Sequence, residues 1–170
     1  MKKILLLLLI VFSFLGCEKD DICDKTTSTT PRIILEFYDN AQQTTLKNVS
    51  NLKVIGVGLS DSLKVFNAES KIQLPLKITN EDNEITSFRL ILNSTIPASL
   101  NEDIITFNYT KNTIYVSRAC GYKTTFNLLS DASGFIREDT TTPDGEWIKG
   151  FTIVTRQINN ENETHIKIFF

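Results

Sequence analysis

The sequence is poor in the residues that most often carry enzyme chemistry. Histidine occurs once, as His165, and there it alternates with Ile166 and Ile168, which predicts a place on the polar face of a surface strand. The GVG stretch at 56–58 lacks the rest of a phosphate-binding fingerprint, and neither a DxDxD calcium loop nor a CxxC pair is present. These absences predict that the chain is not an enzyme and that it holds no metal and no cofactor.

An excess of positive charge is also lacking. The chain has 18 lysines and arginines against 20 aspartates and glutamates, which gives a formal net charge of −2 at pH 7. Residues 1–16 carry two lysines and no acid, so their removal changes the charge from −2 to −4. Proteins bind nucleic acid through clustered basic residues, and we therefore expect no nucleic acid partner.

Long apolar runs are missing except at the N-terminus. Two lysines precede an unbroken apolar run from Ile4 to Val11, and mostly apolar residues continue to position 15. About a dozen apolar residues are too few for a permanent membrane span, which needs roughly 20. A short basic start followed by such a run is typical of a signal peptide, so residues 1–16 are predicted to be removed.

The end of this run indicates how the mature chain is attached. Leu15-Gly16-Cys17 resembles the lipobox of bacterial lipoproteins, although Phe14 stands where that pattern prefers Leu, Val or Ile. The resemblance implies that the Cys17 thiol carries diacylglycerol and that its freed amine is acylated. Each buried CH₂ contributes about 0.8 kcal/mol, so two or three chains form an effectively permanent anchor. An ordinary cleavage site beside an incidental cysteine is the alternative.

An acidic cluster follows the predicted lipid attachment point. It looks like the surface-export signal of many Bacteroidota lipoproteins, and the alternative is a solvated spacer. The cluster consists of Glu18, Lys19, Asp20 and Asp21. We expect residues 17–31 to form a lipidated tether at the outer membrane, on the cell surface or on the periplasmic face.

Two further cysteines remain, Cys23 and Cys120. An exported protein occupies a compartment where thiols oxidise, which favours a disulfide between them over two buried free thiols. Such a bond would close a loop of roughly a hundred residues, for which the chain-entropy model gives about 4.7 kcal/mol. It would fix the start of the folded domain to its middle.

Period-two alternation dominates the rest of the chain, and no segment shows a sustained helical period. Residues 71–78 alternate apolar with polar or proline residues, and Pro75 places this predicted strand at an edge or a bulge. Turn signals at Lys111-Asn112 predict a hairpin at 104–120, and a second hairpin is predicted at 147–170.

The pattern as a whole predicts an all-β domain over residues 32–170. We expect a single antiparallel β-sandwich of Ig-like or Greek-key type, or a partly open barrel, with about 8–10 strands. The predicted strands are 32–38, 52–59, 63–66, 71–78, 85–92, 104–109, 113–120, 122–129, 147–156 and 164–170.

Three segments carry a resemblance to a known family. TPRIILEFYD at 30–39, KIQLPL at 71–76 and VSRACGYKTTFNL at 116–128 resemble a family of small Bacteroidota lipoproteins of unknown function. The resemblance runs over most of the mature chain. It implies no activity, substrate or catalytic residue.

Arg118, Tyr122 and Trp147 are the candidate contact residues, since arginine, tyrosine and tryptophan supply much of the binding energy at interfaces. The alternative is structural: an arginine that caps backbone carbonyls and two aromatics that fill the core. The sequence predicts a non-enzymatic interaction or accessory module for an envelope protein partner. The alternative is a glycan-binding module that stacks sugars on Trp147 and on exposed tyrosines.

Overall fold

The computed structural model describes residues 22–140 and 145–170 and confirms the predicted all-β fold. Two β-sheets pack face to face as a sandwich, and no closed barrel forms among the described residues. Cys17 and the acidic cluster at 18–21 lie outside the described residues, as does the predicted signal peptide. The strands are β1 (Ile33–Tyr38), β2 (Leu52–Gly56), β3 (Ser62–Phe66), β4 (Lys71–Leu74), β5 (Asn83–Leu92), β6 (Asn101–Ser117), β7 (Gly121–Leu128), β8 (Phe135–Asp139), β9 (Gly150–Ile153), β10 (Gln157–Ile158) and β11 (Ile166–Phe169).

The two sheets differ in size and in strand direction. The large sheet has the order β10-β7-β6-β5-β2-β3, with β8 also paired to β6, and its pairs are antiparallel. The small sheet has the order β4-β1-β11-β9, and β1 runs parallel to β11. Period-two alternation shows which residues face the core but not the direction of the neighbouring strand, so this parallel pair was not predicted.

Alternating side chains of the two sheets fill the space between them. On β6, Ile105, Phe107 and Tyr109 are buried, while the residues between them are partly exposed on the outer face. The Phe107 ring packs against Phe88 and Phe135, with centroid distances of 6.2 and 5.4 Å. Each such side chain contributes about 1.5–3 kcal/mol when it is removed from water, so these rows hold the sheets together.

Strand β6 corrects the prediction of a hairpin at 104–120. Lys111 and Asn112 are not a turn but lie inside the strand, paired with Phe126 and Thr125 of β7. The Lys111 ammonium bonds the buried Glu84 carboxylate at 2.8 Å, so a tertiary contact overrides the local turn propensity. The actual turn lies at 118–120.

The position of His165 was also predicted wrongly, because it is fully buried rather than on the polar face. The main-chain N–H of His165 donates to the carbonyl of Ile34 at 3.1 Å, and the Nδ1 of His165 accepts the main-chain N–H of Ile34 at 2.9 Å. Burial lowers the pKa of His165, against the attraction of nearby Glu163 and Glu161. The ring is therefore a neutral acceptor that closes the start of the β1–β11 pair.

The C-terminal part contains β8 and β10, the two strands that the sequence did not reveal. β9 and β11 pair antiparallel, as the hairpin predicted at 147–170 requires. Between them, however, the chain crosses to the large sheet and forms the two-residue β10 on β7. β8 also lacked a clear period-two signal.

Among the described residues, no helix is long and apolar enough to cross a membrane.

Candidate functional site

One open side of the sandwich lies between the edge strands β3 and β4. β3 is the last strand of the large sheet and pairs with β2, while β4 is the last strand of the small sheet and pairs with β1. No other described strand pairs with the outer side of either one. Edge strands expose unpaired N–H and C=O groups, and both of these edges border the same cleft.

A tight corner holds these two edges apart. The chain passes from β3 to β4 through Ala68, which has a left-handed φ of 56°. The main chain of Val49 accepts the N–H of Ala68 at 2.9 Å and donates to the carbonyl of Glu69 at 3.0 Å. Since a left-handed alanine persists only when its surroundings fix it, these bonds set the spacing of the two edges.

The cleft between the edges, here called the edge groove, consists of two connected parts. One part has a volume of about 480 Å³ and the other about 370 Å³, and they share Leu63 and Pro75. The larger part is lined by Arg32, Lys64, Phe66, Glu69, Lys71, Ile72, Gln73 and Leu74 as well. The smaller part is lined also by Gly56, Val57, Gly58, Leu59, Leu76, Lys77, Thr86, Ser87 and Phe88.

The smaller part of the edge groove is apolar. Its rim is formed by the exposed side chains of Val57, Leu59 and Leu63. The turn between β2 and β3 presents Val57 and Leu59, whereas Leu63 lies on β3. This turn requires Gly58, whose φ of 89° is one that other residues rarely adopt. A ligand that covers these apolar side chains removes their surface from water, which lowers the free energy of the complex. This part of the groove therefore favours an apolar group of a ligand.

The larger part carries most of the charge. Its basic residues already have partners, with Lys64 3.3 Å from Glu69, Lys71 3.1 Å from Glu36, and Arg32 2.8 Å from a Glu161 carboxylate oxygen. The Lys64–Glu69 pair is exposed, and exposed pairs of this kind contribute only about 0–1 kcal/mol. A carboxylate on a ligand could therefore replace Glu69 at little cost.

The strongly perturbed acid of the described chain does not lie in the edge groove. Burial raises the pKa of Asp103 to about 6, while the Ile148 N–H and the charge of Arg137 act in the opposite direction. Its Oδ2 accepts that N–H at 2.7 Å beneath the segment before β9. No group of three or more potential metal ligands occurs in the part of the chain that the structure describes.

One protein-family profile matches most of the chain. The profile of a family described as a family of unknown function, DUF6452, matches residues 51–170. The chain belongs to the DUF6452 family. No curated protein and no solved structure matches it. The match to DUF6452 confirms the predicted kinship with an uncharacterised family, while the Bacteroidota origin stays a prediction.

The DUF6452 match includes both edge strands, β3 and β4, and therefore most of the edge groove. It begins one residue before β2, so β1 and Cys23 lie outside it, whereas Cys120 lies within it. The family has no assigned activity, so the match adds no catalytic or binding residue.

The predicted contact residues lie apart from the edge groove. Trp147 is buried, with its Nε1 donating to the carbonyl of Leu90 at 3.1 Å, so it serves the core. Arg118 is exposed in the β6–β7 turn, and Tyr122 is 71% exposed nearby. The structure thus brings Arg118 and Tyr122 to one end of the molecule and leaves Trp147 elsewhere.

Cys23 and Cys120 are joined by a disulfide, with an S–S distance of 1.97 Å and a Cα–Cα distance of 4.8 Å. Beside it, Tyr115 packs edge-to-face on Tyr122 at a centroid distance of 5.4 Å. Tyr115 was not among the predicted contact residues. Its pairing with Tyr122 depends on strand register, which the sequence did not reveal.

Sequence reasoning also missed the rim of the edge groove. Leu63 and Val65 lie on a predicted strand, yet both are exposed on β3, the last strand of the large sheet. The available signals were the apolar residues spaced through 57–65 and, separately, Pro75 in a predicted edge strand. Only the tertiary arrangement shows that the two segments form one cleft.

Proposed function

We propose that this DUF6452 protein is a non-enzymatic interaction module that binds an extended segment of an envelope protein in the edge groove. The observation that carries the proposal is the pair of unpaired edge strands, β3 and β4, on either side of a partly apolar cleft. The N-terminal sequence pattern supports the location. In this proposal, lipid chains on Cys17 attach the module to the outer membrane.

Strand addition accounts for both features of the edge groove. An extended segment gains affinity from main-chain hydrogen bonds to a sheet edge and gains specificity from alternate side chains that enter pockets. Here the apolar pocket beside Leu59 and Leu63 receives an apolar side chain of the partner. The lysines of the larger part, Lys64 and Lys71, receive an acidic one.

The proposed binding can be tested by site-specific photo-crosslinking in living cells. A photoreactive amino acid is placed at Leu63 on one wall of the groove and, separately, at Pro75 on the other. The matched control is Ile85, which is exposed but does not line the groove. We expect both walls to capture the same segment of one envelope protein, identified by mass spectrometry, and the control position to capture none of it.

Different segments at the two wall positions, or equal capture at Ile85, would contradict binding in the edge groove. Attachment is tested in the same cells with labelled palmitate, which is expected to enter the wild-type chain and not the Cys17→Ser variant. Equal labelling of the two proteins would contradict the lipid anchor. The crosslinking result and the labelling result therefore decide separate parts of the proposal.

A glycan-binding module is the second candidate, and the exposed pair Tyr115 and Tyr122 is the observation that favours it. Trp147 cannot serve this function, because it is buried. The two tyrosines pack edge-to-face, so they do not form one flat platform of the kind on which a sugar ring stacks. Saturable binding of a purified surface glycan, lost in a Tyr122→Ser variant, would favour this candidate over the first.

A further inference from the structure

The end of the β6–β7 hairpin projects beyond the rest of the large sheet. β5 pairs with β6 only as far as Thr110, so residues 113–124, here called the hairpin end, form a two-stranded ribbon. Two-stranded ribbons are at best marginally stable in water without additional contacts. Something beyond the strands must therefore hold the hairpin end.

The N-terminal segment supplies that support. The hydroxyl of Thr30 accepts the N–H of Thr124 at 2.9 Å, near the base of the hairpin end. At its tip, Cys23 is bonded to Cys120. Residues 23–30 thus run along the ribbon from its base to its tip, and the chain leaves the folded domain at the tip rather than at the start of β1.

This path shortens the connection to the predicted lipid. An extended chain spans at most about 3.6 Å per residue, so the 14 residues from Cys17 to Pro31 could reach about 50 Å. The disulfide leaves only the six residues from Cys17 to Cys23, which reach about 22 Å at most. The hairpin end is therefore confined to the neighbourhood of the bilayer surface wherever the lipid is inserted.

The side chains at the hairpin end fit that location. Tyr115 is 57% exposed and Tyr122 is 71% exposed, and tyrosine is enriched at the headgroup level of membranes. Ile22, beside the disulfide, is 82% exposed. Within residues 113–124 the charged side chains are Arg118 and Lys123, and each such cation near an anionic surface contributes about 1 kcal/mol.

We propose that the hairpin end docks on the bilayer surface, with Tyr115 and Tyr122 at the headgroup level, and that the Cys23–Cys120 disulfide holds it there. The inference rests on the proposed lipid anchor at Cys17, but it adds a defined orientation. One end of the sandwich faces the lipid, and the opposite end of β6 faces away. Over the 17 residues of β6 these two ends are about 50 Å apart.

The test uses the full lipidated protein in vesicles of phosphatidylethanolamine and phosphatidylglycerol, with and without bromine on the acyl chains. Tyr122→Trp places a reporter on the hairpin end. Ile96→Trp is the matched control, since Ile96 is exposed in the loop before β6 at the far end of that strand. Trp147 is present in both variants as a common buried background.

We expect brominated lipid to quench the reporter of Tyr122→Trp about threefold more than that of Ile96→Trp, because a side chain at the headgroup level lies close to the acyl chains. Adding Cys23→Ser and Cys120→Ser to Tyr122→Trp is expected to remove most of this difference. Equal quenching of the two reporters in palmitate-labelled protein would overturn the inference and leave the lipid anchor intact.

Two further outcomes are decisive. Unchanged quenching after loss of the disulfide would overturn its assigned role in orientation. Failure of the wild-type protein to take up palmitate, together with its absence from the vesicle fraction, would overturn the lipid anchor itself, and this inference with it.

Discussion

At the scale of single residues, Asp103 and His165 each accept a main-chain N–H with a buried side chain, where a backbone carbonyl would usually be the acceptor. Asp103 is 0% exposed and accepts the N–H of Ile148, while His165 accepts the N–H of Ile34. A buried N–H left without an acceptor costs about 1–3 kcal/mol, so both side chains stabilise the fold. Aspartate is usually exposed and histidine is intermediate in burial, and nothing in the local sequence distinguishes these two from surface residues.

The pKa of Asp103 predicts a pH dependence of stability. Burial raises this pKa from 3.8 to about 6, so between these values the folded state holds a proton that the unfolded state has released. The contribution of Asp103 is therefore fully present below pH 4 and is lost as the pH rises through 6. An Asp103→Asn variant can still accept the Ile148 N–H but has no such loss.

We expect the free energy of unfolding of Asp103→Asn, relative to wild type, to increase between pH 4 and 6 and then level off. The increase is on the order of 3 kcal/mol, since the pKa is shifted by about two units and each unit corresponds to about 1.4 kcal/mol. Urea unfolding at a series of pH values measures it. His165 is present in both proteins, so its own titration cancels, and a difference that stays constant with pH would contradict the prediction.

At the scale of elements, β6 depends on a buried ion pair in its middle. The Lys111 ammonium lies 2.8 Å from the Glu84 carboxylate, which also accepts the main-chain N–H of Thr79 at 2.6 Å. Burial alone would raise the pKa of Glu84, but the bonds from Lys111 and Thr79 outweigh it and lower that pKa. This contact supports the continuation of the strand through a dipeptide that otherwise favours a turn.

Replacing Lys111 by methionine is expected to lower the free energy of unfolding by about 3 kcal/mol at pH 7, because it leaves Glu84 charged and buried without its cation. The deficit should shrink as the pH falls toward 4, where Glu84 can take up a proton. Urea unfolding at both pH values is the measurement.

The control is the double variant Lys111→Met with Glu84→Gln, which removes both charges and keeps similar volumes. Its stability should lie closer to wild type than that of the single variant, since no uncompensated charge is left. A double variant that is less stable than Lys111→Met would show that the ion pair is not what supports β6 here.

At the scale of the whole molecule, the disulfide links the first described residues to the far end of the longest hairpin. Cys23 and Cys120 are 97 positions apart in the chain, so their bond restricts a large part of the unfolded ensemble. Loss of both cysteines by Cys23→Ser and Cys120→Ser is expected to lower the free energy of unfolding by about 2–4 kcal/mol.

Urea unfolding of the double serine variant measures this effect, and hydrogen exchange locates it. Faster exchange is expected first at residues 113–124, because that ribbon loses its support, while amides of β1 and β5 keep their order of protection. Uniform loss of protection across the sandwich would contradict a local role of the disulfide.

Much of the architecture could be predicted from periodicity, because inward and outward side chains alternate along a half-buried strand. β1, β5 and β7 were predicted to within about two residues for this reason. β10 was missed, since a strand of two residues carries no period. The turn predicted at Lys111-Asn112 failed because its tendency was outweighed by a contact with a residue far away in sequence.

The candidate site was less accessible to sequence reasoning than the fold. Arg118 and Tyr122 were identified by residue type, and both are exposed, but the same reasoning selected the buried Trp147. Leu63 looked like an ordinary strand residue. It became a groove residue only because β3 and β4 end their sheets on the same side.

The sequence by itself determined the all-β class, the approximate positions of most strands and the availability of Cys23 and Cys120 for pairing, because alternation and residue chemistry are local properties. The tertiary structure alone decided the parallel pairing of β1 with β11, the burial of His165 and Trp147, and the cleft between two sheet edges. These features depend on which distant segments lie side by side. That choice is made by the packing of the whole core, to which each local pattern contributes only a small part of the free energy.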